Sequence, residues 1–541
     1  MPNLSSVVCG LLLQLTITAD VRAITAAPTQ PSPMTATVGP ISEEIATRPA
    51  NAALVRRLYE AAGNETIWLR AERRQAERAL ALLRSAPEHG LSPAHYRVEE
   101  LTQRLRRLPP SGYARFDADL SSAVLQLLTD IHFGRTTPDD ASTEAGLAPA
   151  SFDPVEALGR ALREDRLAGL AEQAQPHIPL YRRVRLTLAR YRDLAALAQQ
   201  GLPLTPLPVS KKVVAGDRYG GAATLRQRLL LLGDLVPGVD GGNAQQYSAE
   251  LAEAVKRFQS RHGLVEDGEL GPATMQALAV PLAHRVRQLG LTLERLRWLP
   301  ALRPGRLVVV NLPAFRLWAF DTAAQAISPA LEMRVIVGKA AGTPTPVFVA
   351  QMRYLEFQPY WNVPGSIARN EIIPQLARDP AYLKKNDMEI IGRDGKLLPA
   401  GRPDALPALR AGRARVRQRP GVHNVLGAVK FALPNRMNIY LHSTSDRELF
   451  DRSRRDLSHG CIRVERPAEL AQFVLADPVL WNAERVRMAM RHPATQTVGL
   501  KTPVPVVLFY ATAVTDRRGL ALFADDIYRR DGKLIAAMDE P

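Results

Sequence analysis

The spacing of apolar residues changes character once along this chain, and that change limits what it can fold into. From residue 50 to 200 they recur at helical spacing, as in Leu54 and Leu58, Ala79, Leu82 and Leu83, then Leu120, Val124, Leu127 and Leu128. From 305 to 515 short β-rich runs replace them, with candidate strands at Leu307–Asn311, Arg316–Phe320, Arg334–Val337, Val429–Ala432 and Asn438–His442. One layer cannot bury both patterns, so the expected architecture is multidomain α+β. The 541 residues agree, being enough for three or so domains.

The helical part is punctuated at Pro87, at His89-Gly90-Leu91-Ser92-Pro93 and at Pro109-Pro110, and Tyr181 to Ala198 forms its last long helix. His89, His95, His132 and His177 lack metal-ligand spacing, and no metal site is expected. Residues 217–279 read as three helices. Thr224 is expected to cap the first, which Gly233 stops; Ser248 caps the second, with Leu251, Ala254, Val255 and Phe258 on one face; Pro272 opens the third. A longer insertion of mixed pattern interrupts the β-rich part between about 367 and 419. Pro467 opens a helix, and two further strands, Val506–Tyr510 and Leu520–Ala524, flank a turn at Asp516–Gly519.

The N-terminus has the apolar run Val7 to Leu15, with Val21-Arg22-Ala23 as a cleavage site, although no Lys or Arg precedes Arg22. It reads as an export signal over 1–23, followed by a Pro- and Thr-rich linker over 24–50. No stretch approaches the roughly 18 apolar residues of a membrane span. Of two cysteines, Cys9 falls in the signal, so the mature chain would hold one thiol, Cys461, and no internal disulfide. The net charge of +16 is spread along Arg-bearing helices without an aromatic-interleaved patch, which gives no support to nucleic-acid binding.

The segment that carries chemistry is IYLHSTSDRELFDRSRRDLSHGCIRVERP. His442 ends a strand, and a polar loop leads to Ser458-His459-Gly460-Cys461-Ile462-Arg463. Such a loop is a common place to display catalytic side chains. A free thiol has a pKa of roughly 8.5, so a nucleophilic cysteine needs a base or a positive charge beside it. His442, nineteen positions upstream, reaches Cys461 if the loop doubles back. Gly460 gives substrate access to the backbone, the N–H groups of Gly460 and Cys461 are candidates for an oxyanion site, and His459 and Arg463 add positive character.

His442, fifteen intervening residues and S-H-G-C-I-R together resemble the signature of the L,D-transpeptidase catalytic domain. VNLPAFRLWAF, RVIVGKAAGTPTPVF, PYWNVPGSIARNEIIP, RQRPGVHNVLGAVKFALPN and PVPVVLFYATAV support the resemblance. AVKRFQ, HGL and DG, with Gly271 and Thr274, resemble a peptidoglycan-binding module. The order of parts is similar to the long L,D-transpeptidases of Gram-negative bacteria. The resemblance implies a helical scaffold over 51–205, completed by about 281–300, and a binding module over 217–279. It implies a mainly β catalytic domain over 305–495 with a cap at about 367–419, and a C-terminal β extension over 500–541.

Carried over by residue, Cys461 would be the nucleophile and His442 its base, oriented by Ser443 or by a backbone carbonyl. Ser458, His459, Gly460 and Arg463 would line the site, and Tyr360 and Trp361 would either stack on the peptide or belong to the core. The implied reaction is two-step acyl transfer in the periplasm. Donor tetrapeptide stems acylate the cysteine with loss of D-Ala, and a diaminopimelate acceptor resolves the thioester into a 3→3 cross-link. Water would instead give an L,D-carboxypeptidase, and a lipoprotein an anchoring enzyme. Glycan strands would occupy the module, and no cofactor is implied. A zinc amidase would need clustered ligands and a serine penicillin-binding enzyme an S-x-x-K, and the chain has neither. A wall-binding scaffold without activity would be expected to lose Cys461 or His442.

Overall fold

In the computed structural model the described residues are 51–69, 73–137, 151–200, 207–208, 212–238, 243–324 and 329–540. The expected signal, Cys9 and the 24–50 linker lie outside them.

The helical part closes one core around α1 (Tyr113–Phe133), whose Leu120, Val124, Leu127 and Leu128 are fully buried, as their spacing predicts. Shorter helices such as Ala52–Ala61, Arg74–Arg84 and Val98–Arg106 surround it. A second long helix, α2 (Pro179–Gln199), starts with proline at its first turn, where no amide hydrogen is needed.

The module contains α3 (Ala222–Leu232), α4 (Ala249–Arg261) and α5 (Pro272–Ala279) around Leu225, Leu229, Leu251, Val255 and Phe258. Ser248 caps α4 through Leu251 N–H, and Gly233 ends α3 at φ 85°. Thr224 does not cap α3. The helix starts two residues earlier, with Gly221 at the cap.

α6 (Leu282–Arg297) follows and packs against α2 through Leu289, Leu293 and Leu296, while Leu291 enters the scaffold core. Its Arg297 and Glu294 form a fully buried pair at 2.6 Å, and Arg297 also donates to Tyr181 Oη at 2.9 Å and to the His89 carbonyl. A buried pair is tolerable only when its remaining groups are hydrogen-bonded, and these bonds supply that condition for Nη1 and Nη2.

The β-rich part is built from β1 (Arg306–Asn311), β2 (Arg316–Asp321), β3 (Leu331–Gly338), β4 (Phe348–Phe357), β5 (Trp361–Asn362), β6 (Met388–Gly392), β7 (Leu397–Leu398), β8 (Ala414–Gln418), β9 (Val429–Ala432), β10 (Leu441–His442), β11 (Asp456–Ser458), β12 (Ile462–Val464) and β13 (Gln496–Phe509). Nine of these form a sheet in the order β11-β3-β12-β10-β9-β4-β13-β1-β2, and β2 pairs back onto β3, so the sheet closes on itself. Its interior holds Val310, Leu317, Val335, Leu355, Phe431 and Ile462, covered at one end by α7 (Pro467–Leu475) and α8 (Ala483–Arg491).

Two features differ from the sequence reading. The insertion begins earlier, at Trp361, and has its own sheet, β5-β8-β6-β7, and its own core of Trp361, Ile372, Leu383, Ile390 and Val416. Residues 500–509 are not an extension: they complete β13, which lies between β4 and β1 inside the closed sheet. The chain then forms the hairpin β14 (Ala513–Thr515) and β15 (Ala521–Phe523), and ends in a helix, α9 (Arg530–Asp539). Leu534 and Met538, four apart on α9, enter the scaffold core, and Asp531 pairs with Arg295 at 2.6 Å.

Candidate active site

β10 and β12 run parallel, with Leu441 opposite Ile462 and His442 opposite Arg463. Side chains alternate across a strand, so Leu441 and Ile462 face the core, where both are fully buried. The same alternation puts Tyr440, His442, Cys461 and Arg463 on the other face. The loop between the strands therefore doubles back and brings together two residues nineteen apart.

Gly460, at φ 113°, makes the turn before Cys461. A Cβ on the neighbouring Gly338 would come within 3.0 Å of Gly460 Cα and 2.1 Å of the Thr343 carbonyl oxygen, so this close approach requires glycine. Thr345 Oγ1 donates to the Gly460 carbonyl at 2.7 Å and accepts from Gly338 N–H at 2.8 Å. Tyr528 extends the brace, donating to the Gly338 carbonyl at 2.6 Å and accepting from Thr345 N–H at 3.2 Å. Ser458 Oγ donates to the Cys461 carbonyl at 2.5 Å and accepts from Gly460 N–H at 3.1 Å. Gly460 N–H is thus already engaged, contrary to its expected place in an oxyanion site, and of the two amides considered Cys461 N–H is left for that role.

His442 is buried, and its Nδ1 lies 2.6 Å from the Ser443 carbonyl oxygen. A carbonyl only accepts, so Nδ1 carries the hydrogen and Nε2 keeps its lone pair. Burial, with Arg463 nearby, pushes the imidazole pKa down to about 3. The Ser443 hydroxyl instead holds the backbone, accepting from Val429 N–H at 3.0 Å and donating to the Leu426 carbonyl at 3.0 Å. Of the two orienting groups the sequence left open, the carbonyl contacts the ring.

The Cys461 thiol donates to the Asn438 carbonyl at 3.6 Å, and burial pushes its pKa up. The Tyr440 hydroxyl, which bonds both Cys461 and Trp361, works in the opposite direction and favours the thiolate. Arg463 is held by Asp446 at 2.8 Å, and His459 reaches Glu371 in the insertion at 2.8 Å. Tyr360 stacks under Arg417 at 4.1 Å, and Trp361 lies in the core of the insertion behind Tyr440. Tyr440, Thr345, Asp446 and Glu371 went unread in the sequence. Tyr440 alone had a local signal, two positions before His442 on the same strand face. Among the described residues no group of His, Cys, Asp and Glu could hold a metal, and no helix is long and apolar enough to cross a membrane. The arrangement can perform acyl transfer, with a thiol, a neutral base and an amide donor on one face.

Three family models match the chain: a "Scaffold domain" over residues 53–188, a "Putative peptidoglycan binding domain" over 219–278 and an "L,D-transpeptidase catalytic domain" over 305–506. A curated Haemophilus influenzae protein named "Putative L,D-transpeptidase" is 30% identical over 248 residues, 46% of this chain and 49% of that protein. The chain thus spans about half the length of that relative. Solved L,D-transpeptidase structures from Stackebrandtia nassauensis (16% identity, TM-score 0.23, 56% of this chain and 97% of that one) and Xylanimonas cellulosilytica (16%, 0.17, 56% and 99%) also match. The candidate site thus lies inside residues 305–506, which match an L,D-transpeptidase catalytic domain, and the residues ahead of it match scaffold and peptidoglycan-binding domains.

Proposed function

We propose that the protein is a periplasmic, cysteine-dependent L,D-transpeptidase that forms 3→3 peptidoglycan cross-links. The observation that carries this reading is the shared face of Cys461 and His442, with the imidazole neutral and its Nε2 lone pair unprotonated.

In the resting site the thiol and the imidazole are both neutral. Cys461 turns from the Asn438 carbonyl toward His442, and Nε2 takes its proton as Sγ attacks the carbonyl of the third residue of a donor tetrapeptide. Cys461 N–H stabilises the oxyanion, and Tyr440 and Arg463 favour the negative charge that develops on sulfur as its proton leaves. The tetrahedral intermediate collapses, the C–N bond breaks, and the imidazolium returns its proton to the leaving D-Ala amine. The side-chain amine of a diaminopimelate residue on a second stem then attacks the thioester and loses its proton to His442. The C–S bond breaks and the thiol is restored. The insertion, tied to the catalytic turn by His459 and Glu371, serves as a cap over the donor, and the module holds glycan strands.

The test is mass spectrometry of the protein with a disaccharide-tetrapeptide stem, alongside Cys461→Ala. A thioester adduct on Cys461 followed by a 3→3 dimer is the expected result. Tripeptide alone would move the assignment to a carboxypeptidase, and absence of any adduct would leave a wall-binding scaffold.

A further inference from the structure

A cleft of about 620 Å³ lies where the module meets the catalytic domain, and its lining includes no residue of the cap. On one side is Val265, in the turn after α4; on the other are Asp451, Arg452, Arg454, Asp456 and Leu457, in the segment that runs into β11. The module side is anchored. Arg261, four residues before Val265, forms a buried pair with Asp234 and donates to the Ala521 carbonyl of the hairpin at 2.8 Å. His262 stacks on Phe258 and lies 5.4 Å from Phe523 of the same hairpin. The module is therefore held to the hairpin that follows β13. Leu457 is four residues from Cys461, a span of no more than about 14 Å for a fully extended chain.

The lining carries unlike charges and no aromatic ring. Arg454 is committed to Asp456 through two contacts, at 2.7 and 3.0 Å. The exposed guanidinium of Arg452 meets no acidic group among the described residues. Asp451 is mostly exposed and touches Arg334 at 3.2 Å. Val265 is 60% exposed, an apolar wall facing these charges. Sugar rings are usually gripped on aromatic faces, whereas an open guanidinium suits a carboxylate. Resting on the transpeptidase reading above, we infer that this cleft seats the acceptor stem peptide. Arg452 holds one of the stem's carboxylates, Val265 covers its small apolar side chains, and its free amine reaches toward the thioester. The cap side is left to the donor.

The test separates the two half-reactions. Wild type, Arg452→Glu and Val265→Arg are acylated with tetrapeptide, and D-Ala release is timed; the ratio of 3→3 dimer to hydrolysed tripeptide is then measured against acceptor concentration. Both substitutions are at exposed positions. Acylation should stay within about twofold while the dimer-to-tripeptide ratio falls about tenfold, the scale of one lost charge-assisted contact, and Arg452→Lys should recover part of it. An unchanged ratio in both variants of an enzyme that cross-links would overturn the acceptor assignment, as would an equal loss of acylation. Failure of the wild type to acylate would instead remove the transpeptidase reading itself.

Discussion

The imidazole of His442 hydrogen-bonds the carbonyl of the residue that follows it, with Nδ1 2.6 Å from Ser443 O. The contact sets the tautomer without a carboxylate, so nothing acidic raises the basicity of the ring. Burial lowers its pKa to about 3 and pushes the thiol of Cys461 up. The pair rests as thiol and imidazole. As the proposed base, His442 is competent wherever it is neutral, which on the acid side means down to about pH 3. The rate of Cys461 acylation, followed as kcat/KM by D-Ala release, should therefore lack an acid limb near 6.5 and stay level to about pH 4.5. A bell with its acid limb between 6 and 7 would contradict the neutral pair.

Ser443 contributes its carbonyl to the ring and its hydroxyl to the strand ends. Ser443→Ala keeps the first and loses the second, leaving Val429 N–H without its buried acceptor. The expected outcome is activity within a few-fold of wild type and a stability loss of about 1–3 kcal/mol, read from acylation rate and denaturant midpoint. Loss of acylation at unchanged stability would mean that the hydroxyl acts on His442 directly.

His459 and Glu371 tie the Gly460 turn to the insertion at 2.8 Å, with both side chains well exposed. Exposed pairs contribute no more than about 1 kcal/mol. Glu371→Gln should raise the donor KM by up to about fivefold and leave kcat and the melting temperature unchanged. A fall in kcat with KM unchanged would place the pair in the chemical step.

What the sequence made legible follows the distance over which each pattern acts. The α1 stripe and the Ser248 and Pro272 helix starts are local, and they appear as read. Cys461 and His442 could be proposed from the sequence because their flanking residues form a compact motif. Tyr440 needs the β10–β12 register, which pairs positions far apart in the chain, to bring it beside the thiol. The Gly460 amide was misread because its partner, Ser458 Oγ, folds back over two residues. β13 was cut short because Pro503 and Pro505 break a strand pattern. Its pairing with β4 shifts register between Gly499 and Val504, and this irregularity accommodates Pro503, which cannot donate to a ladder.

Tyr528 lies 67 positions beyond Cys461 yet braces its turn through Gly338 and Thr345. Tyr528→Phe removes the donor to the Gly338 carbonyl and the acceptor for Thr345 N–H while keeping the ring. Because the brace positions Gly460 rather than touching substrate, the expected change is a drop of about tenfold in kcat for acylation with little change in KM. Equal change in a distant property, such as glycan binding by the module, would show a global defect instead of a positioning role.

Two buried histidines, His89 and His442, and the half-buried His262 make the fold sensitive to acid. Burial first, and then neighbouring arginines, hold His89 at about 2, His442 at about 3 and His262 well below its ordinary value. The unfolded chain protonates these rings near 6.5, and the folded chain does not. Their contribution is complete above pH 6.5 and is lost as pH falls toward about 3, at ~1.4 kcal/mol per pH unit for each ring. Asp130 acts the other way. Burial raises its carboxyl to about 6, so between about 6 and its ordinary 3.8 the folded chain holds the extra proton and one ring's loss is offset. At least two rings' worth of destabilisation should remain in that window, because His95 and His284, also lowered by burial, act in the same direction. Denaturant midpoints at pH 7.5 and 5.0 should differ accordingly, and His262→Gln should shrink the difference. A midpoint that does not move between those pH values would mean that these rings are protonated in the folded chain, and the neutral base assigned to His442 would fail with them.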